Sequence, residues 1–144
     1  MTLDMTPATR LIAAATLAAG LAGPAFAGDL TVEVRNIATV SGVLKVALFD
    51  EAGWDGTEPV ATRDVDIAAA TAEVTFDALS PGRYGLKIYQ DVNGNGELDR
   101  GMMGIPKEPY GFSNDAPTPF GPPRFESAAI DLGEEPATAT VHLK

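Results

Sequence analysis

The chain has 144 residues, no cysteine, and 20 Asp and Glu against 10 Lys and Arg, for a formal charge of −10. Asp4 and Arg10 cancel, so the whole acidic excess lies on residues 28–144. A field of that sign repels nucleic acid and draws cations, and a chain without cysteine has no disulfide staples, thiolate metal sites or lipidated cleavage site.

Arg10 precedes a weakly apolar run over residues 11–21, which is closed by Gly23-Pro24-Ala25-Phe26-Ala27. A basic start, a short apolar stretch and an A-x-A site are what export machinery and signal peptidase read. The expectation is a signal peptide over residues 1–27, cleavage before Gly28, and a periplasmic or extracellular location. A membrane anchor would need about 20 predominantly apolar residues; this run is shorter, and no later stretch approaches that length, so no span is expected after cleavage. The 117 residues that remain suffice for one domain with its own core.

From Gly28 onward the dominant signal is alternation with period two, the pattern of a half-buried strand. Leu30, Val32 and Val34 share one face against Thr31, Glu33 and Arg35. Residues 43–49 are more continuously apolar, after a Ser41-Gly42 turn, and read as a central strand. A Gly/Asp-rich loop carrying Trp54 follows, and residues 60–67 predict a weaker edge strand. Residues 72–78 alternate again, with Val74 and Phe76 inward. Leu79-Ser80-Pro81-Gly82 is a turn in which Pro presets φ and Gly accepts positive φ, and after it Tyr84, Leu86 and Ile88 share a face. Residues 91–124 lose all periodicity, and residues 128–132 and 137–143 supply two last short strands. About seven short strands separated by turns predict an all-β fold: a single β-sandwich of immunoglobulin-like or transthyretin-like kind with one long irregular loop.

A long loop without secondary structure is uncommon in a compact domain and is usually functional or disordered. Met102, Met103, Ile105, Tyr110, Phe112, Phe120 and Phe125 are too many large apolar groups for a solvated linker, so the segment is expected to fold back over the sandwich, with Phe112 and Phe120 in a minor core beneath it. Its first part, Asp91-Val92-Asn93-Gly94-Asn95-Gly96-Glu97-Leu98-Asp99, sets oxygen side chains at positions 1, 3, 5 and 9, a glycine at 6 and a backbone carbonyl at 7. Those are the offsets of a calcium loop. Asp91, Asn93 and Asn95 are the candidate side-chain ligands, Glu97 would ligate through its carbonyl, and Asp99 directly or through water. Position 12 is Met102 where a helix-loop-helix site has a bidentate Glu, so the shell needs a later carboxylate, Glu108 or Asp115. So few carboxylates predict weak affinity, with a dissociation constant of roughly 10⁻⁴–10⁻³ M. The competing reading is an Asn-Gly turn or a network of Asx turns without metal.

The Asp91–Asp99 run, followed by Gly104-Ile105-Pro106-Lys107-Glu108-Pro109-Tyr110-Gly111-Phe112-Ser113-Asn114, resembles a bacterial family of exported proteins classed as a domain of unknown function. The resemblance takes in the strand from Gly42 to Phe49 and the Leu79-to-Tyr84 turn. It implies a β-sandwich and an envelope or extracellular location, and no reaction.

A covalent mechanism needs a base within reach of an activated nucleophile. With one histidine, His142, in the last strand, and no cysteine, no such set is legible, and the expected function is non-enzymatic: a calcium-stabilised binding or structural module of the cell envelope. The alternative is a metal-free domain that binds carbohydrate or peptide through its aromatics, Trp54 and Tyr110 first and Phe112 and Phe120 if they are not in the minor core, since aromatic faces suit sugar stacking and interface anchoring alike. A small hydrolase is the third class. The expected partner is an envelope protein, a peptide or a carbohydrate.

Overall fold

The computed structural model describes residues 27–144; apart from Ala27, the expected signal peptide lies outside the described residues. The described residues fold into eight strands: β1 (Gly28–Arg35), β2 (Val43–Asp50), β3 (Ala61–Asp66), β4 (Ala72–Leu79), β5 (Gly82–Asp91), β6 (Tyr110–Phe112), β7 (Ile130–Leu132) and β8 (Ala137–His142). They form two sheets. The smaller has the order β4-β1-β8; the larger has the order β3-β2-β5-β6, with β7 pairing with the start of β5. The fold is an all-β sandwich, as the alternation predicts, with one strand more than expected.

The core between the sheets is built from the alternating positions. Leu30, Val32 and Val34 of β1, Phe76 of β4 and Val141 of β8 face Leu44, Val46 and Leu48 of β2 and Leu86 and Ile88 of β5, all of them buried. Each such aliphatic side chain stabilises the fold by about 1.5–3 kcal/mol. In β4 the alternation breaks after Phe76, because Leu30 pairs with Phe76 but Gly28 pairs with Leu79. One extra residue on β4 makes a bulge, with Ala78 at φ 55° and its N–H held by the Asp29 carboxylate at 2.9 Å. The bulge turns Leu79 inward where strict alternation would have turned Ala78. β1 runs parallel to β8, which joins the two ends of the described chain.

A second apolar cluster lies at one end of the larger sheet, where Phe49, Trp54, Ala116, Phe125 and Ala128 pack together with Ala47 and Phe112. The single-turn helix α1 (Phe125–Ala128) supplies two of these residues.

The segment 91–124 is not the structureless excursion expected from its composition. It contains β6, which pairs with β5 through Lys87–Phe112, Ile88–Gly111 and Tyr89–Tyr110, and a bridge between Arg100 and Pro106. A three-residue strand with glycine at its centre carries no alternation to read, which is why the eighth strand escaped the sequence reading. Phe112 and Phe125 pack inward as expected. Met102, Met103, Ile105 and Phe120 do not: Phe120 is fully exposed, at 102%, and Met103 is 95% exposed.

Candidate functional site

Segment 91–124 makes two structures on the larger sheet. The first is the Asp91–Asp99 loop at the end of β5. Asp91 is buried, and its carboxylate gathers three backbone N–H groups: Oδ1 accepts from Gly94 (2.9 Å) and Asn95 (3.2 Å), and Oδ2 from Gly96 (2.8 Å). Gly94 and Gly96 both take positive φ, which lets the chain wrap the carboxylate so tightly. Asn93 Oδ1 accepts the Asn95 N–H, and Asn95 Oδ1 accepts the Glu97 N–H, at 3.2 and 3.0 Å. Both amide nitrogens turn to one carboxylate: Asn93 Nδ2 donates to Asp99 Oδ2, and Asn95 Nδ2 donates to Asp99 Oδ1 at 2.7 Å.

The side chains of Asn93, Asn95 and Asp99 therefore do converge, around an arrangement that hydrogen bonds close without an ion. Among the described residues no group of three or more His, Cys, Asp or Glu is placed to hold a metal ion. Glu108 has a different task from the one expected. It is buried, with Oε1 accepting the Val92 N–H at 2.9 Å and Oε2 the Asp99 N–H at 3.0 Å, so it brackets the two ends of the loop. Asp115 lies elsewhere, on His142: its Oδ1 accepts the His142 backbone N–H (2.8 Å), and its Oδ2 sits 2.7 Å from Nδ1.

The donor set tests the calcium expectation directly. An ionised carboxylate has about four lone-pair sites and an amide oxygen two, so Asp91 keeps one free site and Asn93 and Asn95 keep one each. Turning the two amides about their last torsion would exchange the N–H groups facing Asp99 for oxygens. That all-oxygen cluster suits a hard cation and is repulsive without one. A calcium ion held by Asp91, Asn93, Asn95, Asp99 and the Glu97 carbonyl would require that turn, which takes the amide oxygens off the Asn95 and Glu97 N–H groups, and Glu108 would stay outside the shell.

The second structure is a groove of about 970 Å³ on the outer face of the larger sheet. Its floor consists of cross-strand rows, Asp64–Lys45–Tyr89–Tyr110 and Thr62–Ala47–Lys87–Phe112, one residue from each of β3, β2, β5 and β6. One wall is a short hairpin over residues 99–107. It is closed by the Gly101 N–H to the Ile105 carbonyl (2.7 Å) and the Lys107 N–H to the Asp99 carbonyl (2.8 Å), and it presents Met103 and Ile105. The other wall is residues 118–122, which present Phe120. Tyr110 joins floor to wall, its hydroxyl 3.2 Å from Thr118 Oγ1.

Trp54 is not available as a ligand-stacking face. It is only 2% exposed, its Nε1–H donates to the Pro123 carbonyl at 2.9 Å, and Phe49, Phe112 and Phe125 meet its rings edge-on at centroid distances of 5.7–6.2 Å. It instead packs on the same outer face of the larger sheet, beside the floor residues Phe49, Lys87 and Phe112. Lys87 lies over the Phe49 and Trp54 rings, 4.3 and 4.7 Å from their centroids, and donates to the Trp54 carbonyl. Burial pushes the Lys87 ammonium below the ordinary lysine value. Lys45 is pushed the other way by its 2.6 Å hydrogen bond to Asp64.

Of the groove residues, Phe120 is among the aromatics the sequence offers for ligand binding, whereas Lys45, Lys87, Met103 and Ile105 are not expected as site residues. Lys45 and Lys87 each interrupt an apolar strand, and that interruption was their only signal; which rows they join depends on strand register. Met103 and Ile105 are apolar residues of a segment expected to fold back over the sandwich, and their exposure on its rim follows from the path of the hairpin.

The His142–Asp115 pair borders a smaller depression of about 230 Å³, whose lining holds no Ser, Thr or Cys. Ser113, nearby in the chain, is buried, accepts the Leu86 N–H at 2.9 Å and donates to the Ala128 carbonyl.

Residues 32–140 match the model of a family described as an uncharacterized protein conserved in bacteria (DUF2141). No curated protein and no solved structure matches the chain.

Proposed function

The chain belongs to this uncharacterised bacterial family, and we propose that it is an exported, non-enzymatic binding module of the cell envelope whose working surface is the groove on the larger sheet. The observation that carries the reading is the pair of exposed apolar walls, Met103 and Ile105 on one side and Phe120 on the other, over a concave floor. Fully exposed large apolar side chains around a concavity cost solubility and mark a surface that is covered in use. The export signal in residues 1–27 supplies the location, and the Asp91-to-Asn114 motifs are read as the family's signature. The non-enzymatic part rests on the buried, doubly engaged Ser113 and on a histidine pair with no nucleophile at its edge.

In this reading calcium binds weakly at Asp91, Asn93, Asn95, Asp99 and the Glu97 carbonyl. It braces the groove, because the wall hairpin begins at Asp99. The metal-free reading has its own support: every oxygen the ion would use on Asn93, Asn95 and Asp99 already has a hydrogen-bond partner. Thermal melts in EDTA and in 10 mM CaCl₂ separate the two. At dissociation constants of about 10⁻³ and 10⁻⁴ M the ion adds roughly 1.4 and 2.7 kcal/mol, or about 6 to 11 °C for a domain of this size. No shift removes the calcium brace. The groove is tested with the neutral dye Nile red: one site per molecule, lost in Phe120→Asp, is expected, and no saturable binding would overturn the binding-module reading.

A further inference from the structure

The charges of the groove oppose those of the molecule. The chain carries −10, yet the groove is lined by Lys45, Lys87 and Arg100 with Asp64 as its one acidic residue. Lys45 and Asp64 pair with each other. Lys87 and Arg100 are in no ion pair among the described residues. Arg100 uses one guanidinium N–H on the Gly104 carbonyl, at 2.9 Å, and keeps the rest of its fork free. Lys87 holds its ammonium against two aromatic rings and a carbonyl, partly out of water, with Asp55 acting on it only from beyond ion-pair distance. The remaining lining is mostly apolar, with Ala47, Leu98, Met103, Ile105 and Phe120, and its polar side chains are the hydroxyls of Thr62, Tyr89, Tyr110 and Thr118.

Apolar walls around two uncompensated cations define the complement of an amphiphile with an anionic head. An acyl chain would cover Met103, Ile105 and Phe120. A carboxylate would take charge-assisted hydrogen bonds from Lys87 or Arg100, which are about twice as strong as neutral ones. A volume near 970 Å³ is at the upper end for small-molecule sites, which span roughly 300–1,000 Å³, and leaves room for an extended chain. From this juxtaposition we infer that the groove binds a free, single-chain aliphatic carboxylate, with its chain between the Met103–Ile105 and Phe120 walls and its head on the Lys87 and Arg100 cations. The inference rests on the groove being the working surface and names the ligand class for it.

The test compares three probes with the same chain and different heads, dodecanoate, dodecanol and dodecyltrimethylammonium. Each is used below its micelle concentration as a competitor of Nile red and titrated by calorimetry into the purified protein. Dodecanoate is expected to bind one to one, at least about tenfold tighter than dodecanol, with the ammonium weakest. Lys87→Met and, at the surface, Arg100→Gln are expected to remove the preference for dodecanoate while leaving dodecanol affinity in place; Phe120→Asp is expected to weaken all three. Nile red bound but not displaced by dodecanoate, or equal affinities for dodecanoate and dodecanol, would overturn the ligand class and leave the binding module standing. Absence of dye binding would overturn both. Retention on phosphatidylglycerol vesicles, or dimerisation lost in Phe120→Asp, without dodecanoate binding would equally overturn it, in favour of a membrane surface or a second copy.

Discussion

Replacing Asp91 by Ala isolates what holds the 91–99 loop together. The carboxylate is buried at the end of β5 and accepts the N–H groups of Gly94, Asn95 and Gly96 at 2.8–3.2 Å. A hydrogen bond to a charged group contributes about 1.5–3 kcal/mol when both partners are withdrawn from water. Gly94, Asn95 and Gly96 are exposed residues, however, and water can take over much of what their N–H groups lose. The net cost is therefore set at about 2–4 kcal/mol for the three together, or about 8–16 °C in melting temperature. Asp91→Asn keeps one acceptor oxygen and is expected to cost about half as much. The assay is a urea and a thermal melt in EDTA, followed by circular dichroism, with hydrogen exchange at Gly94 and Gly96 as a local readout. A loss below about 0.5 kcal/mol for Asp91→Ala in EDTA, together with loss of a calcium-induced shift, would refute the reasoning. It would mean that the carboxylate serves only a metal and that the metal-free hydrogen bonds contribute nothing.

Three further outcomes follow from the packing and charge. Gly85→Ala is expected to destabilise by about 1–3 kcal/mol, because an added Cβ would stand 2.5 Å from Trp54 Cζ3 in a ring that cannot bend away; a thermal melt with near-ultraviolet circular dichroism reads both stability and indole packing. Trp54→Ala is expected to cost about 3–5 kcal/mol and to lower Nile red binding only in proportion to unfolding, checked by calorimetry on the folded fraction, since the buried ring does not line the groove. As pH rises, Lys87 is expected to deprotonate before Lys45, read by the Nζ and Cε resonances. Burial lowers the first in the folded state, so its cost to stability is full below that depressed value and fades as pH rises from there to the ordinary lysine value. The Asp64 hydrogen bond raises the second, so its contribution persists below that value and is lost only as pH climbs through the higher folded one. A dodecanoate head on Lys87 should delay its deprotonation.

The sequence by itself determined the class of fold. Leu30, Val32 and Val34, the residue 43–49 run, and Tyr84, Leu86 and Ile88 carry the period of two on their own, because side chains on a strand alternate between faces whatever the strand pairs with. It also located the segment that builds the loop and the groove walls, since the Asp91–Asp99 spacing and the density of large apolar residues after it are local facts. The tertiary structure decided everything that depends on which distant residues meet. The parallel pairing of β1 with β8, the three-residue β6, and the rows that set Lys45 beside Tyr89 and Lys87 beside Phe112 are matters of register and strand order, to which alternation is blind. Burial followed the same division. Trp54, in a polar Gly/Asp-rich stretch, became the centre of a core because residues 112–128 returned to cover it, while Phe120, as apolar as any, stayed in water because the segment that carries it bends away to form a wall. Hydrophobicity states how much a side chain gains from being covered; only the path of the whole chain settles whether anything is there to cover it.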